Sequence, residues 1–441
     1  MQPPPTNAPG PASPVAPDTR SRRERWALPI VFVTILIDFA GFSVLIPVLP
    51  LFADRLGATP FDIGLIVSTY AVTQLLFLPV WGWASDRLGR RPVILGSLFG
   101  TTIAYGILIV ADTMTLVYLS RFLAGFFAAS LGTAQAVVTD LTAPSQRARG
   151  MGMLGAALGL GFVIGPAVGG LLGAVNPRLP FAAVMAVSLV NLIAAVFVLP
   201  ESRPGDGQPL RLRELPRLLI PTPVRLVGMV HDRRIGLYLY LFFHLFTAFA
   251  ALESMFTLFL AERFDANEAA AGRVFAWIGL WMVLTQGFAI GRLSMHMSET
   301  TLVVVGLSIQ SVGLALMPWL PSLAAVYVLA PFMAIGNGLA FPTLASLYSK
   351  ACAADHAGEL LGQSQSMATT GRIFGPMWAG YVMGNLGGWL SARLPAGSLV
   401  AGLEPRVFSL GSPFLIAGVL TAVALLIFVA ARRTLVQPAA D

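Results

Sequence analysis

Four ionisable residues lie deep inside long apolar runs of this 441-residue chain: Asp38, Arg121, Glu253 and Arg372. A charge at mid-membrane depth costs about 3 kcal/mol on insertion scales, so each of them needs a reason to be there. At a rise of 1.5 Å per residue, Asp38 sits about 17 Å along its run and Arg121 about 9 Å from the start of its own. These depths allow one acid–base pair in each half of the chain, Asp38 with Arg121 and Glu253 with Arg372. A buried carboxyl next to an arginine is poised to change charge as its surroundings open to one side or the other, whereas the arginine stays charged and only modulates it. All four are therefore proton-coupling candidates. The bland alternative is a fixed ion pair that locks two helices together.

A second set of polar groups lies within apolar runs rather than between them: Gln74, Asn191, Gln286, Gln310, Asn337, Gln363 and Gln365. Gln365, Thr369 and Arg372 follow a spacing of i, i+4, i+7 and form one stripe on a helix. Interhelical hydrogen bonding explains most such amides. Gln365 and Asn337 are the substrate-binding candidates among them, with Phe42, Trp277 and Trp281 as apolar walls of a cavity. The four histidines are scattered and Cys352 stands alone, so neither a metal site nor a disulfide is expected, and no cofactor is called for. His244 is read as a packed, neutral side chain. An enzyme would need a nucleophile with its base, or clustered His, Asp and Glu near one face, and neither is present.

The elements that must carry these residues are transmembrane helices. The chain is 56% hydrophobic and only 11% charged, with a mean hydropathy of +0.77. Soluble domains carry about 25% charged residues, so this deficit places the chain in lipid. Runs of roughly 20 apolar residues, each long enough to span, cover about 27–53, 61–84, 92–111, 115–139, 150–173, 180–199, 236–261, 270–290, 300–318, 322–349, 358–385 and 411–431. The expected fold is an all-α membrane protein of twelve transmembrane helices in two pseudo-symmetric six-helix bundles. A cytoplasmic tail (1–25) precedes an N-terminal bundle (26–200), and a Pro- and Arg-rich cytoplasmic linker (201–235) leads to a C-terminal bundle (236–432) and a short tail (433–441). Residues 1–19 lack the basic start and apolar core of a signal peptide. An offset of 210 residues lays Arg121-Phe-Leu-Ala over Pro331-Phe-Met-Ala and Gly165-Pro166 over Gly375-Pro376, as in duplicated transporter halves that face each other across a central site.

The net charge of +7 does not point to nucleic acid, because the basic residues sit at the ends of apolar runs. With both termini cytoplasmic, 20 of the 28 basic residues fall on the inner side and 6 in the outer loops or just inside an outer helix end, the bias that orients membrane proteins. The expected setting is the plasma (inner) membrane, with lipid, protons and a small molecule as partners, no nucleic acid, and a monomer. In the fifth run Gly161, Gly165, Gly169 and Gly173 recur every four residues with Pro166 among them. That pattern lets helices approach closely and favours a bend.

Several of these segments resemble the major facilitator superfamily, in particular its drug:proton antiporter branch. Gly82-Trp-Ala-Ser-Asp86-Arg87-Leu-Gly89-Arg90-Arg91 is similar to the superfamily's signature loop, whose acid and bases are expected to latch cytoplasmic helix ends in the outward-facing state. Asp86 there is suited to capping helix N-termini and meeting arginines at the membrane surface. Arg121-Phe-Leu-Ala-Gly125 resembles the helix 4 motif associated with proton coupling. Gly161 to Gly170, through Gly165-Pro166 and Gly169, resembles the antiporter motif of helix 5, and Leu199-Pro200-Glu201-Ser202 closes helix 6 as in many members. Asp38-Phe-Ala-Gly41 through Pro47-Val-Leu-Pro50 resembles helix 1 of tetracycline exporters. Where those exporters carry a helix 3 acid and a helix 8 histidine, this chain has Ala104 and Met282. A metal–tetracycline chelate therefore does not follow from the resemblance. Glu253 followed by Arg263-Phe264, with Ile278-Gly279-Leu280, is closer to a tetracycline-transporter-like group linked to organic anions. The resemblance implies proton-coupled efflux of an amphiphilic or hydrophobic molecule by alternating access. Transport of a metabolite or organic anion, proton-coupled or passive, is the alternative, and a non-transporting receptor or membrane enzyme the distant one.

Overall fold

The structure, a computed structural model, describes residues 22–142, 146–203, 233–351, 357–386, 389 and 405–436. Most of the expected N-terminal tail and linker, and the last five residues, lie outside the described residues. Each of the twelve predicted runs has a helical counterpart. The first is broken into α1 (Arg22–Val44) and α2 (Leu49–Arg55), bent by 40°. There follow α3 (Pro60–Leu88), α4 (Arg90–Val110), α5 (Met114–Phe126), α6 (Ser130–Leu141), α7 (Arg147–Val175) and α8 (Leu179–Val198). The later part holds α9 (Arg233–Phe264), α10 (Glu268–Leu284), α11 (Ile290–Leu293), α12 (Glu299–Leu316), α13 (Leu323–Ala351), α14 (Ala357–Tyr381) and α15 (Pro405–Val436). No strand occurs among the described residues.

Local chemistry sets several boundaries. Thr59 and Asp62 form a reciprocal capping box ahead of Pro60, which satisfies two backbone donors and starts α3. Asn267 and Ser298 accept backbone N–H bonds in the same way at the starts of α10 and α12. The predicted fourth run is interrupted between α5 and α6. Two carbonyls at that break are taken up by side chains of neighbouring helices: Trp81 Nε1 donates to Phe126 O and Ser97 Oγ to Phe127 O. A break in lipid persists only when its backbone groups are satisfied in this way.

Ten helices are long and apolar enough to cross a membrane, or eleven if the bent pair Leu28–Val44 and Leu49–Arg55 is one span, among the described residues. The expected count of twelve is not reached by that measure. The helix outside this set is α14, which runs polar through Gln363, Ser364, Gln365, Ser366, Thr369, Thr370 and Arg372. It keeps its place by packing between α9 and α3. An added Cβ at Gly375 would lie 2.5 Å from the Thr247 carbonyl, and one at Gly380 2.3 Å from that of Pro60, while Ser68 Oγ donates to Ile373 O at 2.7 Å.

Helices before residue 200 pack mainly on one another, chiefly α1 on α7, α4 on α8 and α3 on α5. Those after residue 233 do the same, with α9 on α14 and α12 on α13 and α15. The two sets meet along two seams, α7 against α10 and α3 against α14. The first seam accounts for the glycine repeat. Gly161, Gly165 and Gly169 face the α1 backbone at Ala40 and Val44, while Gly170 faces Gly272 and the Glu268 carbonyl of α10. One helix thus holds its own set with one face and the opposite set with another. A Cβ at Gly165 would fall 1.9 Å from Ser43 Oγ and 2.6 Å from the Ala40 carbonyl, so Gly165→Val is expected to push α7 off α1. The cost should be roughly 1–3 kcal/mol, read as a lower midpoint of thermal unfolding in detergent. Gly155→Ala, with nothing within 4 Å of its added Cβ, should leave that midpoint unchanged.

Candidate functional site

The break between α5 and α6 places two of the functional side chains. Ser130, the first residue of α6, donates its hydroxyl to Asp38 Oδ2 of α1. The carboxylate thereby sits at the start of a twelve-residue helix, where the dipole favours negative charge. Its other oxygen, Oδ1, is buried and has no partner. Arg121, near the end of α5, is 3% exposed. It donates from Nη2 to Ser120 Oγ at 3.0 Å and lies over the Tyr105 ring at 5.6 Å, while its Nε has no partner. Tyr105 is fixed by its own bond to the Gly41 carbonyl at 2.6 Å, and Ser120 by one to the Ala104 carbonyl at 2.7 Å.

These groups surround a cavity of about 740 Å³ that also contains Phe42, Tyr70, Gln74 and, from α14 of the other set, Arg372. A second cavity of about 630 Å³ shares Phe42, Tyr70, Arg121 and Arg372 with it. This second one adds Glu253 and Ser254 of α9 among apolar walls from Leu45, Ile46, Leu49 and Val67. The four deep charges named from the sequence therefore meet around one pair of adjoining cavities at the junction of the two helix sets. The pairs that those depths allow are not formed. No ion pair joins Asp38 to Arg121 or Glu253 to Arg372. The reason is geometric, since Ser130 takes Asp38, Arg121 turns to Ser120 and Tyr105, and Arg372 rests 5.3 Å over the Phe246 ring. Arg372 remains within electrostatic reach of Glu253 and of Tyr70.

The other candidates divide. Phe42 lines both cavities. Asn337 lines a separate space of about 280 Å³ with Gln310, Met333 and Leu252. Trp277 donates its indole N–H to the Tyr327 carbonyl at 3.1 Å and stacks edge-on with Trp281, so this pair fastens α10 to α13 and lines none of the three cavities. Gln365 is exposed and lines none of them either; of the α14 stripe, Arg372 alone reaches the main cavities. His244 bonds Thr421 Oγ1 at 3.0 Å in a buried, packed setting. Tyr70, Tyr105 and Ser130 were not singled out from the sequence, because nothing in their local pattern distinguishes them from packing residues.

The loop between α3 and α4 forms a second polar centre. Gly89 has φ +99°, a conformation that L side chains rarely adopt, and a Cβ there would meet the Glu201 carboxylate at 2.5 Å. Glu201 accepts from the backbone N–H groups of Arg90 (2.8 Å), Arg91 (3.2 Å) and Arg203 (3.3 Å). The carboxylate at the start of α4 is thus that of Glu201, from the end of α8, rather than the expected Asp86. Asp86 instead pairs with Arg90 at 2.8 Å and keeps 63% of its side chain exposed. Arg90 is buried and also bonds Ser85 (3.0 Å) and Asp140 (3.3 Å). Arg91 donates to the Val196 carbonyl, Arg87 lies 4.4 Å over Trp83, and Gly82 has open space around it. Glu201→Ala would leave three backbone donors short of an acceptor, at a cost of about 1 kcal/mol, measurable as a lowered unfolding midpoint. Glu201→Gln, which keeps an acceptor, should recover part of the loss.

A bundle of apolar helices with unpaired charges around cavities at its internal junction is the architecture of a membrane transporter. The chain belongs to the major facilitator superfamily, whose sequence pattern matches residues 31–376. The superfamily consists of integral membrane transporters of small molecules rather than enzymes, and the relatives of this chain place it in the drug:proton antiporter branch. It is 30% identical over 355 residues to the class C tetracycline resistance protein of Escherichia coli, covering 80% of this chain and 88% of that one. The crystal structure of the human organic anion transporter MFSD10 (TETRAN) is 24% identical with a TM-score of 0.61, over 90% of this chain and 99% of that one. A bacterial homologue of the human lysosomal transporter Spinster, crystallised inward-facing and unoccupied, gives a TM-score of 0.75 at 16% identity, over 94% and 98%. These two structures share the fold.

Proposed function

We infer that this chain exports an amphiphilic small molecule in exchange for protons, by alternating access in the inner membrane. The reading takes it as a monomer with twelve spans in two six-helix bundles and both termini cytoplasmic. The observation that carries it is the meeting of Asp38, Arg121, Glu253 and Arg372, none of them ion-paired to another, around cavities bounded by both helix sets. A carboxyl held by a hydroxyl rather than a fixed counter-ion is able to trade its proton for a ligand, and arginines that stay charged make the exchange depend on what occupies the cavity. From α14, Arg372 reaches both cavities. The relatives' names, tetracycline resistance and multidrug resistance, support export of a drug-like amphiphile. Ala104 and Met282 stand where tetracycline exporters carry their acid and histidine, which argues against a metal chelate as cargo.

In this orientation Arg55 and Glu268 lie at the outer ends of α2 and α10, and their ion pair, with the Gly170–Gly272 approach, closes the outer side. Asp86, at the inner end, pairs with Arg90 of its own loop. A second reading, transport of an organic anion, draws on the two arginines and on the likeness to the human organic anion transporter. The test is purification, a ligand-stabilisation screen, and liposome flux of each hit with and without an imposed pH gradient. Hits that move only when the gradient is present support the proposal; hits that bind and never move, or move equally without it, refute it.

A further inference from the structure

We propose that the transported amphiphile is amphoteric, with a cationic amine seated at Asp38 and an anionic group at Arg121 and Arg372. The inference rests on the transport reading above and names the cargo class of that same site. It starts from two unsatisfied atoms on one cavity wall. Asp38 Oδ1 is a buried acceptor without a donor, and Arg121 Nε is a buried donor without an acceptor. Buried polar atoms are nearly always paired, so orphans of opposite kind on two side chains that line one cavity point to a ligand that supplies both halves of the bond once those side chains turn toward it. The two groups do not satisfy each other, because Ser130 and the start of α6 hold Asp38, while Ser120 and Tyr105 hold Arg121.

Charge separation along the site sets the ligand's layout. Arg372 joins Arg121 on the boundary shared by the two cavities, beside Phe42 and Tyr70, so two positive groups converge there. Asp38 lines the first cavity and is absent from the second. Glu253 lies within electrostatic reach of Arg372, so one carboxylate faces two arginines at that end; an amine alone would leave Arg121 without an anion, and a carboxylate alone would leave Asp38 without a cation. An apolar body between the two charged ends fits against Phe42 and Tyr70, which line both cavities. An amine that must take the place of a proton on Asp38 also supplies the competition that exchange requires.

The test uses three rigid probes with one biphenyl body: 4-(aminomethyl)biphenyl, biphenyl-4-carboxylic acid, and 4′-(aminomethyl)biphenyl-4-carboxylic acid. Calorimetry on the full chain in detergent is expected to show the amphoteric probe binding at least about tenfold more tightly than either single-charge probe. Arg372→Gln should reduce its affinity to that of the amine, and Asp38→Asn to that of the acid. Equal binding of the amphoteric probe and either single-charge probe by the unmutated protein overturns the proposal, as does binding of none, and neither result depends on a variant folding. Liposome flux separates the two readings. A tightly bound amphoteric probe that a pH gradient never moves sinks the transport reading and leaves the site standing, whereas gradient-driven movement of all three probes with equal affinity does the reverse.

Discussion

Asp38→Asn is expected to abolish gradient-driven accumulation of substrate while leaving a folded, membrane-inserted protein. The amide is isosteric with the acid, and its oxygen still accepts the Ser130 hydroxyl, so the contact between α1 and α6 survives. What is lost is the carboxyl that, in the proposed exchange, binds and releases a proton in the cavity. One pH unit is worth 1.36 kcal/mol per proton, which supports about tenfold accumulation at one proton per substrate. In reconstituted vesicles under that gradient, the unmutated protein should approach this ratio or exceed it, and Asp38→Asn should reach no accumulation at all. Exchange of substrate at equal concentrations should persist in the variant, because that process needs no net proton movement. Accumulation by Asp38→Asn at the unmutated level would transfer the proton to Glu253, and Glu253→Gln is the matching measurement.

Most of the spans were readable because lipid imposes a simple rule: every backbone group must be satisfied within the segment, so a span declares itself as a long apolar run. The predicted run 61–84 became Pro60–Leu88, and 92–111 became Arg90–Val110. The same rule concealed the two breaks. Between α5 and α6 the freed carbonyls are taken by Trp81 and Ser97, residues 45 and 30 positions away, and no local pattern reveals such a donor. The deep charges were legible because each carries a cost that must be explained, and all four line the cavities. Their pairing was not, since depth along an axis leaves the direction of the side chain undetermined. Ser130, one serine among many, decided where Asp38 points. The aromatic candidates fared worse. Phe42 and Trp277 look alike in sequence, but the Trp277 indole N–H found the Tyr327 carbonyl and Phe42 stayed at the cavity wall. Glu201 is similar: its segment was recognisable, yet that its carboxylate rather than Asp86 meets the α4 start depends on the fold bringing residues 90 and 201 together.

Arg55→Ala is expected to release the closed end of the transporter. Glu268 keeps only 4% of its side chain accessible, and the Arg55 guanidinium is its ionic partner. Removing one member of a buried pair costs about 3–5 kcal/mol, because the remaining charge stays desolvated. Arg55 is itself about half exposed (49%), so water replaces part of its effect and roughly 1–3 kcal/mol is the appropriate range. The penalty falls on the state in which α2 and α10 are in contact, and a state that separates them rehydrates Glu268 and escapes it. By the relation between energy and population, 1–3 kcal/mol moves the balance by about 5- to 150-fold toward separation at this end. A cysteine placed at Gly173, which lies 3.2 Å from Glu268 by its would-be Cβ, provides the readout. Its labelling by a membrane-impermeant maleimide should be slow in the Arg55 background and faster by that factor in Arg55→Ala. Glu268→Gln should behave differently, since it removes the buried charge together with the ion pair and shifts the balance less. Equal labelling rates in all three backgrounds would show that the glycine contacts of α7 with α10 close this end unaided.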